Sequence, residues 1–319
     1  MRLAILVIWV WCGTISARLA VRSKKGCLEY IEYLPSEWEL QWLNLASSRQ
    51  NTICATIERE SSHSKIWLKG IADPDAISLV PLTDQSHDSV HSDFVWSFFR
   101  YRDICSWNRE EFYIPIEPAV GLLRSPFSAP CTGSAALDVQ DRNYMFIAPE
   151  PLQKFYPGRK LLFDLGTGAS FVSSLGWFAD SYAQKGITFD EIWAWEAQET
   201  EPHEYWQTVP EEYVSRLHFY NTYASDQLNP AGPLGILDSR FKTGDFIVVK
   251  LDIDNEILEN SIMRKVMSMK HKIAEFFFEK HFDAPEMHPY FGKLSTTYND
   301  TLTMFHQFRS LGIRLHYWP

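Results

Sequence analysis

Residues 159–168 read Arg-Lys-Leu-Leu-Phe-Asp-Leu-Gly-Thr-Gly. An apolar run of strand length carries Asp164 near its end and is followed by Gly166 and Gly168. That is how a buried parallel strand enters a nucleotide-binding turn, because glycine turns tightly and lets a ligand approach the backbone. Gly-x-Gly is common in turns, so the neighbours decide the reading. Two further apolar runs carry acidic ends: Glu191 to Glu196 (E-I-W-A-W-E) and Asp245 to Asp254 (D-F-I-V-V-K-L-D-I-D).

Outward from this stretch the pattern alternates. Strands are expected at Arg159–Leu165, Phe189–Ala197, Leu217–Asn221, Phe246–Ile253, Ala274–Glu279 and Ile313–Trp318. Helices are expected at Ser173–Lys185, closed by Gly186, at Asn255–Met269, and at Thr296–Leu311, closed by Gly312. Strands alternating with helices predict an α/β fold over residues 151–319: a Rossmann-like, doubly wound, mainly parallel sheet with helices on both faces.

Residues 18–150 lack this alternation and form an N-terminal extension or lid. Ser36 to Ser47 reads as a helix with Ser36 and Glu39 as a capping box, and Trp38, Trp42 and Leu45 share one face. Residues 71–90 are polar and loop-like; His87 and His91 are one helical turn apart, without the further ligands a metal site needs. In Tyr113 to Pro126 three prolines bracket an apolar stretch, which predicts an ordered extended connection. Glu117 and Arg124 within it either pair with each other or line a cleft.

The first residues run Met1-Arg2, then apolar from Leu3 to Ile15, then Ser16-Ala17, the pattern of a signal peptide over 1–17. The run is too short to span a bilayer comfortably, so no stable membrane span is expected, although a signal-anchor is the alternative. Cys27, Cys54, Cys105 and Cys131 follow. An even number of cysteines in a secreted or lumenal chain favours disulfides, here Cys27–Cys54 and Cys105–Cys131, each closing a local loop. Buried free thiols are the alternative. Asn299-Asp300-Thr301 is a formal glycosylation sequon. A formal net charge of −10 leaves no basic footprint for nucleic acid.

The chemistry-bearing groups gather at predicted strand ends. Asp164, Gly166 and Gly168 form the first turn, across which a cofactor can lie. The third glycine of a dinucleotide fingerprint is missing, and no Gly-Lys-Ser/Thr of a P-loop is present. Glu196 ends the second strand, where its two carboxylate oxygens can accept from ribose hydroxyls. Lys250, Asp252 and Asp254 alternate onto one face at the end of the fourth strand, as contacts to substrate or cofactor or as a Lys–Asp pair that neutralises itself. Glu279 and His281 follow the fifth strand and could move a proton. A carboxylate–His divalent site from Asp252, Asp254, Glu279 and His281 is another use of these groups; no metal site is assigned.

These motifs resemble class I S-adenosylmethionine-dependent methyltransferases, and FkbM-like methyltransferase domains more closely. Phe163-Asp164-Leu165-Gly166 matches part of the first motif. Lys250-Leu251-Asp252-Ile253-Asp254 matches the fourth, with Asp254 in place of Glu and Asn255 in place of Gly. Glu279 corresponds to the Glu after the next strand. Residues 116–126 and the W-A-W-E-A element also resemble uncharacterised methyltransferase-like proteins of algae and similar eukaryotes. The resemblance implies S-adenosylmethionine as cofactor, held by Asp164, Gly166, Gly168, Glu196 and Lys250. It also implies O-methylation of a hydroxyl on a sugar or small metabolite, with Asp252 or His281 as base. Two other functions stay open. One is a non-catalytic scaffold that binds a ligand or partner. The other is a nucleotide-sugar glycosyltransferase clamping a metal–diphosphate with Asp252-x-Asp254.

Overall fold

The computed structural model describes residues 27–48, 96–119, 145, 155–283, 288 and 292–318. The signal-like segment, Cys54, His87, His91, Arg124 and Cys131 lie outside them.

Residues 155–318 form an α/β unit. Its strands are β4 (Lys160–Leu165), β5 (Glu191–Trp195), β6 (Leu217–Tyr220), β7 (Phe246–Leu251), β8 (Glu275–Phe278) and β9 (Leu315–Tyr317). They make a six-stranded sheet in the order β6-β5-β4-β7-β8-β9. Every pair in it is parallel. All of β7 and most of β4 are buried, as continuous apolar runs in a parallel sheet must be. The chain proceeds outward from β4 through β5 to β6, then crosses back to β7 beside β4 and proceeds outward the other way.

The expected helices are present. Here α2 is Leu175–Gln184, α6 is Glu256–Ser268 and α7 is Tyr298–Ser310. Asn255 caps α6 by accepting from the Leu258 amide at 3.0 Å, and Thr297 with Asp300 forms a full capping box on α7. The sequon falls in that first turn, where Thr301 is buried and its hydroxyl donates to the Thr297 carbonyl. Three short helices carried too little periodicity to be read: α3 (Pro202–Gln207), α4 (Glu211–Val214) and α5 (Pro233–Arg240).

The extension is more regular than expected. Strands β1 (Leu28–Leu34), β2 (Ser97–Asp103) and β3 (Glu111–Ile116) form a three-stranded antiparallel sheet in chain order. The Tyr113–Pro126 connection is thus corrected in part. Its first residues are the end of β3, and Pro115 is tolerated because β3 is an edge strand. One face of the sheet buries Tyr33, Phe99, Tyr101 and Ile114. The other carries a charge ladder in which Arg100 bonds Glu32 and Glu111, and Arg102 bonds Glu29 and Glu111. The cysteine pairing also differs from expectation: Cys27 bonds Cys105 with S–S 2.01 Å. Residues 28 and 103 are partners in the β1–β2 register, and the Ile104 amide donates to the Cys27 carbonyl. Strand pairing, not loop length, brings these sulfurs together.

Helix α1 (Glu37–Ser48) follows β1. Ser36 caps it, accepting from the Glu39 amide at 3.1 Å. The other half of the box is not made, because the Glu39 carboxylate turns inward. Its Oε2 accepts from Tyr33 Oη, Ser97 Oγ, the Ala119 amide and Arg309 Nη1. Arg309, on α7, also bonds Glu117 through both its carbonyl and Oε1, and the Leu315 carbonyl. His316 Nδ1 lies 2.9 Å from Glu117 Oε2, and Arg314 bonds Glu275 at 3.1 Å. Glu117 is therefore a buried partner of Arg309 and His316 and not a cleft residue. This network ties the extension to α7, β8 and β9. Tyr30 adds a bond from its hydroxyl to the Ser310 carbonyl and packs on Gly312, where a Cβ would lie 2.8 Å from its ring.

Among the described residues no helix is long and apolar enough to cross a membrane.

Candidate functional site

The carboxyl ends of β4, β5, β7 and β8 bring the predicted site residues together. After β4 the chain turns at Gly166 with φ +91, and a Cβ there would lie 1.5 Å from the Asp252 carbonyl oxygen. Only glycine permits this approach of the β4 and β7 ends. The turn is stitched to β5. The Gly166 and Thr167 amides donate to the Trp195 carbonyl at 2.9 and 3.1 Å, and the Gly168 amide donates to Glu196 Oε2 at 2.7 Å. Glu196 Oε1 accepts from the Gln198 amide at 2.7 Å. The turn amides are thus consumed internally and do not form a cradle for phosphate. Glu196 stays partly exposed, and each of its oxygens keeps a second acceptor site.

Lys250 and Asp164 are buried to 0 % exposure. The Lys250 ammonium reaches Asp164 Oδ1 at 3.1 Å, the Gly166 carbonyl at 2.7 Å and Asp252 Oδ2 at 3.1 Å. Its three protons are all used, so Lys250 fixes the frame of the site and has none to offer a ligand. Burial alone would lower its pKa, but Asp164 and Asp252 hold it above its usual value. Burial raises the Asp164 carboxyl, against the pull of Lys250. Asp164 Oδ2, Thr167 Oγ1 and Tyr205 Oη are buried polar atoms, with the Thr167 side chain close enough to Asp164 and to Tyr205 to lower the pKa of both.

Asp252 Oδ2 also accepts from Trp318 Nε1 at 3.1 Å. Trp318, which the sequence reading passed over, follows β9 and closes the far side of the cluster, with Lys250 Nζ 5.4 Å from its ring centroid. Burial, and then Asp252 itself, push the Glu279 carboxyl well above its usual range. Burial and the charge of Asp252 also raise Asp254. Asp254 does not continue the strand alternation. Its backbone is left-handed at φ 54 and its carboxylate is mostly exposed. His281, only 7 % exposed, sets Nε2 3.5 Å from Glu279 Oε1 and 3.9 Å from Asp254 Oδ1.

Exposed apolar residues sit in the segments that follow these strands: Val172 after β4, Tyr223 and Leu228 after β6, and Ile257 after β7.

Compared with protein families, with curated proteins and with solved structures, the chain matches none.

Proposed function

We propose that this chain is a Rossmann-like S-adenosylmethionine-dependent methyltransferase of the secretory pathway, acting on a hydroxyl of a sugar or small metabolite. The observation that carries the reading is the joining of the glycine turn to Glu196 beside the point where the strand order reverses, between β4 and β7. In open α/β sheets, ligands bind outside the carboxyl ends of the strands at such a point. Glu196 would take the ribose hydroxyls on its remaining lone pairs. Gly166 and Gly168 shape the turn, and the Asp164–Lys250 pair holds it against β7. With its amides engaged, this turn favours a nucleoside cofactor without phosphate over a dinucleotide.

S-adenosylmethionine, when bound, supplies the methyl group. The protein aligns the acceptor hydroxyl and takes up its proton. His281 and Asp252 are the candidate bases at the strand ends. Asp252 already accepts from Lys250 and Trp318, which weighs against an Asp252-x-Asp254 clamp for a sugar nucleotide. The disulfide is compatible with an oxidising compartment.

Calorimetric titration tests this. The chain lacking residues 1–17 should bind S-adenosylmethionine saturably. Changing Glu196→Ala should weaken binding ~10- to 100-fold, the worth of hydrogen bonds to a charged acceptor. No binding of S-adenosylmethionine by the folded wild type sinks the reading. Binding of a UDP-sugar with Mn²⁺ instead would turn it to glycosyl transfer, and silence with both to a non-catalytic scaffold.

A further inference from the structure

We propose that Asp254, Glu279 and His281 form a binding site for one divalent transition-metal cation. Each offers one ligand atom, and the three atoms lie within 4.8 Å of one another. Donor atoms at ~2.0–2.2 Å from a common ion, at tetrahedral or octahedral angles, stand roughly 3 to 3.5 Å apart. The 3.5 Å from His281 Nε2 to Glu279 Oε1 already meets that spacing. The 3.9 Å to Asp254 Oδ1 needs an adjustment of a few tenths of an ångström, and the Asp254 side chain is 63 % exposed and able to make it. Two carboxylates and an imidazole supply the charge and donor set for a dication. Nitrogen among the donors favours Mn²⁺, Fe²⁺ or Zn²⁺ over Mg²⁺ or Ca²⁺.

Lys250 is committed to Asp164, the Gly166 carbonyl and Asp252. Asp252 is held by Lys250 and Trp318 and stands outside the ligand set. Separate from the cluster, on α6, Glu259 is 1 % exposed, and its Oε1 has no hydrogen-bond partner. That carboxylate lies within electrostatic reach of His281 and Asp252.

The site opens to solvent through the exposed Asp254, so the remaining coordination positions take water or oxygen atoms of a bound substrate. The cation's use, though not its binding, rests on the methyltransferase reading. Beside the methyl donor it would hold the acceptor oxygen and acidify its hydroxyl. His281 and Glu279 are then ligands, and the base role passes to Asp252.

The test is Mn²⁺ binding to the chain lacking residues 1–17, followed by electron paramagnetic resonance without cofactor. Wild type should take up one Mn²⁺ saturably. His281→Gln should abolish saturable binding, and Asp254→Asn should weaken it at least ~10-fold. Circular dichroism checks each fold, and exposed Asp254 keeps the test decisive if the His281 variant fails to fold. Absence of one-to-one binding in the wild type overturns the site, as does binding that Asp254→Asn leaves intact. Mn²⁺ uptake without S-adenosylmethionine binding would uphold the site and remove the methyltransferase reading; the reverse pattern would do the opposite.

Discussion

Where α7 and β9 meet the N-terminal sheet, Glu39, Glu117 and Glu275 face Arg309, Arg314 and His316. At the carboxyl ends of β4, β7 and β8, Asp164, Asp252, Asp254 and Glu279 face Lys250 and His281. Both clusters are largely buried, yet Glu39 and Glu275 in the first shift opposite to three of the four acids in the second. Burial would raise Glu39, but its hydrogen bond from His306 and the charge of Arg309 bring it down to about 2. Glu275 likewise falls to about 2, through His316 and Arg314. In the second cluster Asp164, Asp254 and Glu279 are raised, with burial the largest cause, while Lys250 outweighs burial at Asp252 and lowers it. The first cluster is balanced and joins parts of the fold. The second is left short of positive charge, as a site that holds a proton or a cation must be.

The sharpest way to break this comparison is to remove one cation from each cluster. Arg309→Met leaves Glu39 and Glu117 buried without their guanidinium, and should cost ~3–5 kcal/mol of unfolding free energy. Lys250→Met should cost less. Asp164 is already displaced towards its neutral form and can relieve the loss by taking a proton. Urea unfolding of the two variants at pH 7 gives both numbers. An equal or larger loss for Lys250→Met would mean that the strand-end cluster is a structural ion pair network too.

The two regions also differ in how far the sequence reveals them. The strand-end cluster was legible because its residues close apolar runs, and position at a strand end carries meaning in a parallel sheet. Asp164, Glu196, Lys250, Asp252, Glu279 and His281 were found in that way. That Lys250 would spend every proton internally was not legible, since it depends on the Gly166 carbonyl and on the register of β4 with β7. The junction was hidden for a different reason. Arg309 reaches Glu39 and Glu117 across 270 and 192 positions of chain, and nothing local in the sequence marks such pairs. Glu39 even looked like a capping residue, which is what its spacing from Ser36 suggests. The cysteine pairing failed similarly: β1 meets β2 across residues 49–95, and only the sheet register places Cys27 by Cys105.

Acid unfolding sharpens the comparison next. Carboxyls depressed in the fold bind fewer protons there than in the unfolded chain. Their stabilisation is complete above about pH 4.5 and is lost as pH falls towards 2. For Glu39 and Glu275, each shifted from 4.5 to about 2, that is at most ~3 kcal/mol apiece. Stability measured by urea melts should rise steeply from pH 2 to 4.5, and Glu39→Gln should flatten the rise. A wild-type curve that is flat across that range would show that the junction carboxylates are not held as charged groups.

Glu259 provides the smallest and most discriminating effect. It stands behind the strand-end cluster, 1 % exposed, and burial raises its carboxyl to about 7, against the attraction of Lys280 and His281. The sign is opposite to that of Glu39. The folded form binds the proton more tightly than the unfolded one, so stability declines as pH rises from 4.5 through 7. The full shift would correspond to ~3 kcal/mol. Glu259→Gln gains less, ~1–2 kcal/mol at pH 8, because buried Lys280 loses part of its electrostatic partner. Unfolding curves of this variant and the wild type should converge near pH 4.5 and separate above it, the variant being the more stable. Curves that run parallel would mean that Glu259 is paired like the junction acids. The unbalanced charge would then be confined to the strand ends and would not extend into α6.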